Sequence, residues 1–320
     1  MAMRFLAALA MMLAAAAAHA AEAWPTRTVT IVVPYTPGTG ADTIARLLSP
    51  QLAERLKVPV VVDNKAGASG AIGAESVAKA PPDGQTLLFI ATSHGTLPAL
   101  KHHLPYDPVK SFTPVALAAT SALALVVNPD VPASTFAELV ALAKKQPGKL
   151  YYSSPGNGSP QHLTMELVKL EAGIDVVHVP YKGSAGAMTD LMGGRVQATV
   201  AALQTAAPFV KGGKLRMLAV LSEERSPAFP DVPTMRELGH PDLVVDTWYG
   251  VFAPAGTPAD IVARLNAELN ALLRLPATTD AFAKQGLVAV EDKPERLGKL
   301  LESELARWNR VVASAHIEAD

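Results

Sequence analysis

The 320-residue sequence has no cysteine, which excludes a disulfide framework and leaves no N-terminal cysteine for a lipid anchor. It has almost no charge excess, with 28 Lys and Arg against 29 Asp and Glu and a net charge of −1. Nucleic acid and anionic membrane surfaces reward a strong basic excess, so a small molecule is the better-matched partner. Aromatic residues are 5 % of the chain, too few for rows of platforms on which sugars or bases stack. Beyond the N-terminus no run is long and uncharged enough to span a bilayer, which takes roughly 20 apolar residues.

What is present begins with MAMRFLAALAMMLAAAAAHAAEAW. Arg4 supplies a basic start, Phe5 to Ala18 an apolar core, and Ala18-His19-Ala20 a small-residue cleavage site. Residues 1–20 are therefore expected to be a cleaved secretory signal, and the protein a soluble, freely diffusing periplasmic one starting at Ala21. About 300 residues then remain, which exceeds one compact core and fits two lobes of roughly 150 each.

Elements alternate from there. TVTIVVPY (28–35) is a near-continuous β-branched run, the pattern of a strand buried on both faces. In the next segment Ala41, Ile44, Ala45, Leu48 and Leu52 share one helical face. PVVVDN (59–64), the helix GAESVAKA and TLLFIA (86–91) complete a βαβαβ series, which implies a doubly wound parallel sheet with ligands beyond the carboxyl ends of its strands. A second series runs from LALVVN (123–128) through KLYYSS, DVVHVP, RVQATV and KLRMLAVL, and two long helices close the chain. A strand, a glycine-rich loop and a helix start recur once in each half.

Those two loops carry the chemistry. In PYTPGTGADT, Thr39-Gly40-Ala41-Asp42 has the spacing of a capping box. In SSPGNGSPQHL, Ser159 is placed as N-cap and Pro160 as first helical residue. Free N–H groups at two helix N-termini make anion sites without a basic side chain. Nucleotide patterns fail: neither loop has the Walker lysine, and Thr43 and Gln161 stand where the dinucleotide fingerprint has its third glycine. GASGAIG (67–73) matches neither spacing and reads as a tight turn before a helix.

ATSHG (91–95) departs by one residue from a nucleophile elbow, with Ser93 in the serine position. A secreted serine hydrolase using Ser93, with Asp175 and His178 or Asp231 and His240 as partners, is thus one alternative. An orphan sensory receptor without a transport role is another. Histidines show no metal-ligand spacing, so neither metal nor cofactor is expected. Lys182 in VPYKGS is a candidate anion contact, set against the ordinary reading of a solvated loop lysine.

Eight motifs in order resemble the Bug-type, or TctC-type, extracytoplasmic solute receptors of tripartite tricarboxylate transporters. They are W-P-x-R at Trp24, PYTPGTGADT at Pro34, VVVDNKAGASG at Val60, PPDGQTLL at Pro81, LPYDPVKSFTP at Leu104, PGNGSPQHL at Pro155, HVPYKGS at His178 and WYGVFAPAGTP at Trp248. The resemblance implies an α/β type II periplasmic binding protein: two doubly wound lobes joined by crossing hinge strands near 123–127 and 245–249. Its lobes would be 21–124 with 248–320, and 125–247. It further implies a monomer that binds a small carboxylate between the lobes, catalyses nothing, contacts no nucleic acid and hands its cargo to membrane transporter components.

Carried onto this sequence, the first loop supplies Tyr35, Gly38, Thr39, Gly40, Asp42 and Thr43, and the second Ser154, Gly156, Asn157, Gly158, Ser159 and His162. Ser93 and Tyr181 add contacts. Where the family has Phe-Pro-Pro-Gly-Gly this chain has Tyr35-Thr36-Pro37-Gly38-Thr39-Gly40, and where members carry Asp and Ser it has Ala201 and Ala202. The latter implies a ligand with a less polar distal group. A clamp of neutral donors suits a receptor that must release, with Ser159 expected to direct its hydroxyl proton at the carboxylate.

Overall fold

The computed structural model describes residues 24–100, 103–181, 183–315 and 317. The expected signal at 1–20, and Lys182, lie outside them. The chain opens with β1 (Val29–Val33), α1 (Gly40–Leu56), β2 (Val60–Asn64), α2 (Ala71–Ala78), β3 (Thr86–Ala91) and α3 (Ser93–Leu100). Strand β1 lies between two parallel neighbours, with Ile31 opposite both Val62 and Leu87. Its Val29, Ile31, Val32 and Val33 are buried, as the unbroken β-branched run requires. On α1 the whole predicted face, Ala41, Ile44, Ala45, Leu48 and Leu52, is buried. Each of its larger side chains adds about 1.5–3 kcal/mol over an exposed one, and Leu52→Ala would cost about 2–5 kcal/mol.

The next strand serves both halves of the molecule. Residues 112–122 of β4 (Phe112–Val127) pair antiparallel with β9, and residues 123–127 pair with β7 and β8. The second half contains α4 (Phe136–Lys145), β5 (Tyr151–Ser154), α5 (Pro160–Ala172), β6 (Val177–Pro180), α6 (Ser184–Met192), β7 (Ala198–Ala202), α7 (Leu203–Lys211) and β8 (Arg216–Val220). The chain returns through β9 (Asp246–Pro254) and ends in α8 (Ala259–Leu273), α9 (Pro276–Lys284), β10 (Val288–Ala289) and α10 (Pro294–Ala315). The strand order is β2-β1-β3-β9-β4-β7-β5-β6, with β8 and β10 also on β4. Each half thus repeats one plan: a parallel triplet, β2-β1-β3 or β6-β5-β7, flanked by an antiparallel strand that belongs to the crossing.

Three expectations need correction. The sheet is mixed rather than parallel throughout, because the chain passes between halves by strands β4 and β9, and a strand arriving without a crossover helix runs antiparallel to its neighbour. Strand β4 starts eleven residues before LALVVN. Its first half carries a proline and a run of alanines, a weak strand signal, and Pro114 is accommodated at a shift in the β4–β9 register. Helix α7 follows β7 with no intervening loop, and Pro208 inside it hides the helical pattern.

The cores follow the same division. Val29, Ile44, Leu48 and Phe89 pack on one side of the first half's sheet, and Val32, Leu88, Trp248 and Phe252 on the other. In the second half Leu123 and Leu125 join Tyr152 and Leu167, whereas Ala124 and Val126 join Met188 and Leu191, the alternation of a strand. Helix α10 straddles the two: Leu297 and Leu301 sit in the first half's core, Trp308 and Val311 in the second's.

Candidate functional site

The first loop leaves the carboxyl end of β1 and enters α1 at Gly40. It is held from below by Asp42, a residue only 3 % exposed. One oxygen accepts from the Gly38 N–H at 2.9 Å, and the other from Arg46 Nε at 2.9 Å and Asn64 Nδ2 at 2.9 Å. Burial pushes this carboxyl up, but the hydrogen bonds from Gly38, Arg46 and Asn64 outweigh it and hold the group below its ordinary value. The expected capping box does not form: Thr39 is the N-cap, yet its hydroxyl donates to Thr36 O at 3.1 Å and makes no cap bond. Asp42 instead reaches one residue further back, to Gly38, because the turn before α1 presents that N–H. Thr43 closes the first turn through its backbone, donating to Thr39 O at 2.9 Å.

Beside this loop Tyr35 Oη lies 2.5 Å from Ser93 Oγ and accepts from the Ala91 N–H at 3.2 Å. Burial pushes the Tyr35 phenol up to about 12, so it stays a neutral donor. Among the described residues Ser93 has this phenol as its hydrogen-bond partner, and no histidine stands in the position of a base. His178, one of the histidines a hydrolase would need, is paired with Ser154 in the other half. His94 is buried against Tyr106, Phe112 and Phe252 and bonds to Pro108 O at 3.0 Å.

The second loop leaves β5 and enters α5. Ser154 is fully buried, and its Oγ lies 2.6 Å from His178 Nε2 and accepts from the Gly156 N–H at 3.2 Å. Gly158 donates its N–H to His162 Nδ1 at 3.0 Å, which fixes that nitrogen as the unprotonated one. The two imidazoles stack with centroids 3.9 Å apart, and Tyr152 stacks on His178 at 4.8 Å. Below them Tyr152 donates to Glu166, which also accepts from Lys169. Both histidines are lowered to about 4: for His162 by burial and then Lys169, for His178 by burial and then His162, partly offset by Glu166. Gly158 has φ +69°, and a Cβ there would lie 2.8 Å from Leu100 of α3, so the loop turns tightly against the first half.

Ser159 is the N-cap, as the sequence indicates, accepting from the His162 N–H at 3.3 Å. Its hydroxyl proton does not point outward; it is donated to Gly156 O at 2.7 Å, within the turn that the glycines create. Asn157 is exposed at the tip of the loop. The Tyr181 hydroxyl donates to Asp190 at 2.6 Å, while its N–H donates to Ser154 O at 3.0 Å, tying the end of β6 to this loop.

An open cleft lies at the carboxyl ends of β5 and β7. Pro155 and Gln161 of the second loop, Ser184, Ala187 and Met188 of α6, Thr199 to Ala202 of β7 and Thr205 of α7 line it. The starts of three helices, α5, α6 and α7, therefore surround one concavity, and none of its described lining residues is charged. Gln161, Ser184 and Thr205 escaped the sequence reading. Gln161 lies inside the loop that it singled out, whereas Thr205 sits on the helix that it missed. Tyr249 of β9, whose phenol stands against Gly40, also escaped. No described residues form a cluster able to hold a metal.

Residues 44–317 match the tripartite tricarboxylate transporter family receptor, TctC. The chain belongs to this receptor family. Its relatives include BugT of Bordetella pertussis, 38 % identical over 299 residues that cover 93 % of this chain and 92 % of that one. Among solved structures, Rpa4515 of R. palustris with adipate is 37 % identical, with a TM-score of 0.74 over 93 % of this chain and 100 % of that one. MatC of Rhodopseudomonas palustris with bound malate is 34 % identical, with a TM-score of 0.71 over 90 % and 100 %.

The resemblance read from eight motifs is thereby borne out, as is an α/β fold shared with periplasmic binding proteins of the TctC and Bug type. In this TctC-type receptor no described helix is long and apolar enough to cross a membrane. It is a solute receptor of the tripartite tricarboxylate class, and its two glycine-rich loops occupy equivalent places in the two halves.

Proposed function

We propose that the mature chain captures a small organic carboxylate between its two halves and delivers it to membrane transporter components, without catalysing a reaction. The observation that carries this reading is the repeated plan: in each half a glycine-rich loop leaves the first strand of a parallel triplet and delivers helix N–H groups to the strand ends. No described cation lines the second half's cleft. Neutral donors and helix N-termini hold a carboxylate without a buried counter-ion, so the bound state is favoured without being locked. The adipate and malate seen in two related structures support an acid of this size.

The ligand site comprises Tyr35, Gly38 to Gly40, Thr43 and Ser93 on one side, and Gly156 to Ser159 with Tyr181 on the other. Asp42, Ser154 and His162 act beneath them as braces. The halves 21–124 with 248–320, and 125–247, close on the ligand about β4 and β9. Ala201 and Ala202 make the far wall apolar, which favours a ligand whose distal end carries few polar groups. The protein works as a periplasmic monomer beginning at Ala21, binds no nucleic acid and uses no cofactor.

Calorimetry of the purified mature protein against mono- and dicarboxylates, adipate and malate included, tests this. Saturable binding of at least one acid is expected, with no ester hydrolysis. Turnover of an ester that Ser93→Ala abolishes would overturn it.

A further inference from the structure

Gly40 is the first residue of α1 and has ordinary helical backbone, so nothing in its conformation asks for glycine. Space does. A Cβ at residue 40 would lie 2.6 Å from the Tyr249 hydroxyl oxygen and 3.2 Å from its Cζ. The phenol occupies a notch at the start of α1 that only a residue without a side chain leaves open.

Tyr249 comes to this notch from far away in sequence. The β9 register sets it opposite Ala91, the last residue of β3, and opposite Ala119 of β4. Its neighbour Trp248 is pinned there, donating its N–H to Thr92 Oγ1 at 2.8 Å. Tyr249 is partly buried, which pushes its phenol up and keeps it protonated. Its hydroxyl makes no hydrogen bond with the described residues and is not sealed from solvent, so beside the start of α1 it is open to an acceptor from outside the chain. Close by, Tyr35 and Ser93 share one short hydrogen bond, and two hydroxyls joined by one bond keep one O–H to offer outward.

We propose that Tyr249 is a ligand contact of the first half that sets specificity: its phenol donates to the ligand's carboxylate beside the α1 N-terminus, and Gly40 exists to admit it. This rests on the carboxylate-receptor reading above. A phenol hydrogen bond to an ionised oxygen is about twice as strong as one to a neutral hydroxyl, so Tyr249 favours an acid over its alcohol analogue. Because β9 is one of the two strands passing between the halves, the same contact ties ligand occupancy to the crossing.

The test is calorimetry of wild type, Tyr249→Phe, Gly40→Ala and the double variant. Probes are adipate and malate within a panel of carboxylates, with 1,6-hexanediol as the uncharged analogue of adipate. For the acid that wild type binds, Tyr249→Phe is expected to weaken affinity about tenfold or more, the size of one hydrogen bond to a charged group, with an unchanged melting temperature. Gly40→Ala should weaken binding to a similar degree by displacing the phenol, and add little to Tyr249→Phe, because both remove one contact. Affinity of Tyr249→Phe within twofold of wild type, or full additivity of the two substitutions, overturns the assignment and leaves the receptor reading standing. Failure of wild type to bind any acid in the panel overturns both.

Discussion

The loop after β1 and the loop after β5 occupy the same place in the two halves, yet opposite chemistries brace them. Under the first, a buried carboxylate takes hydrogen bonds from Gly38, Arg46 and Asn64. Under the second, two stacked neutral imidazoles take one from Gly158 and pair with Ser154. What the halves share is the neutral surface turned to the cleft; what differs is the charge kept beneath it. A carboxylate brace and a histidine brace fail at different pH values, so the comparison can be broken loop by loop.

The largest effect should come from the charged brace. Asp42→Ala leaves the Gly38 N–H, the Asn64 amide and the Arg46 guanidinium without their shared acceptor, and should cost about 3 kcal/mol by urea unfolding. Asp42→Asn keeps the shape and one acceptor and should cost less. Equal costs for the two would mean that volume, not charge, holds the first loop.

Next comes acid. The folded-state values of His162 and His178, about 4, lie below the ordinary 6.5, so the unfolded chain binds more protons between these limits. The stability that they contribute is complete above about pH 6.5 and is lost as pH falls toward 4. Asp42 is also depressed, from 3.8, so its contribution persists until pH falls below that value. Hydrogen-exchange protection at 155–162, taken relative to the unfolded chain at each pH, should therefore fall between pH 6.5 and 4 while 36–42 stays protected. His162→Asn, which keeps an acceptor near Nδ1 but does not titrate, should flatten that response. Loosening of both loops at one pH would refute the distinction.

Much of this was legible in the sequence, and the residues say why. Strand β1, the buried face of α1, and the Ser159-Pro160 start of α5 rest on local rules, and local rules placed them. The Ser159 proton could not be placed, because its acceptor, Gly156 O, is presented by a turn whose shape depends on glycines at φ +150° and +69°. The Asp42 brace required knowing that β2 returns Asn64 beside it. Tyr249 lies more than two hundred residues from the glycine that admits it, and only the register of β9 joins them. The first half of β4 was hidden by composition, since alanines and Pro114 carry no period.

Because the Ser159 hydroxyl accepts from His162 N–H and donates to Gly156 O, Ser159→Ala removes a cap and a turn bond together. It should lower stability by about 1 kcal/mol, the usual worth of an N-cap, as read from a thermal or urea transition. Affinity for the bound acid should fall only through loop order, by less than Tyr249→Phe costs. A tenfold direct loss with unchanged stability would put the hydroxyl on the ligand after all.

The smallest effect concerns how the halves are held together. Helix α10 reaches from the first half's core to the second's, and two kinds of contact anchor its far end: buried Trp308 and Val311, and the pair between Arg310 and Glu171 of α5 at 2.9 Å. The tryptophan is fully buried and donates its Nε1–H to Glu304 at 2.6 Å, whereas the arginine side chain is 53 % exposed. An ion pair so open to water gains little over its solvated partners and is screened by salt. Arg310→Ala should then cost no more than about 0.5 kcal/mol, in 20 mM or 500 mM salt alike. A larger, salt-dependent loss would show that α10 is fastened to the second half by charge, and the asymmetry between a charged brace in one half and neutral ones in the other would no longer describe how the molecule is joined.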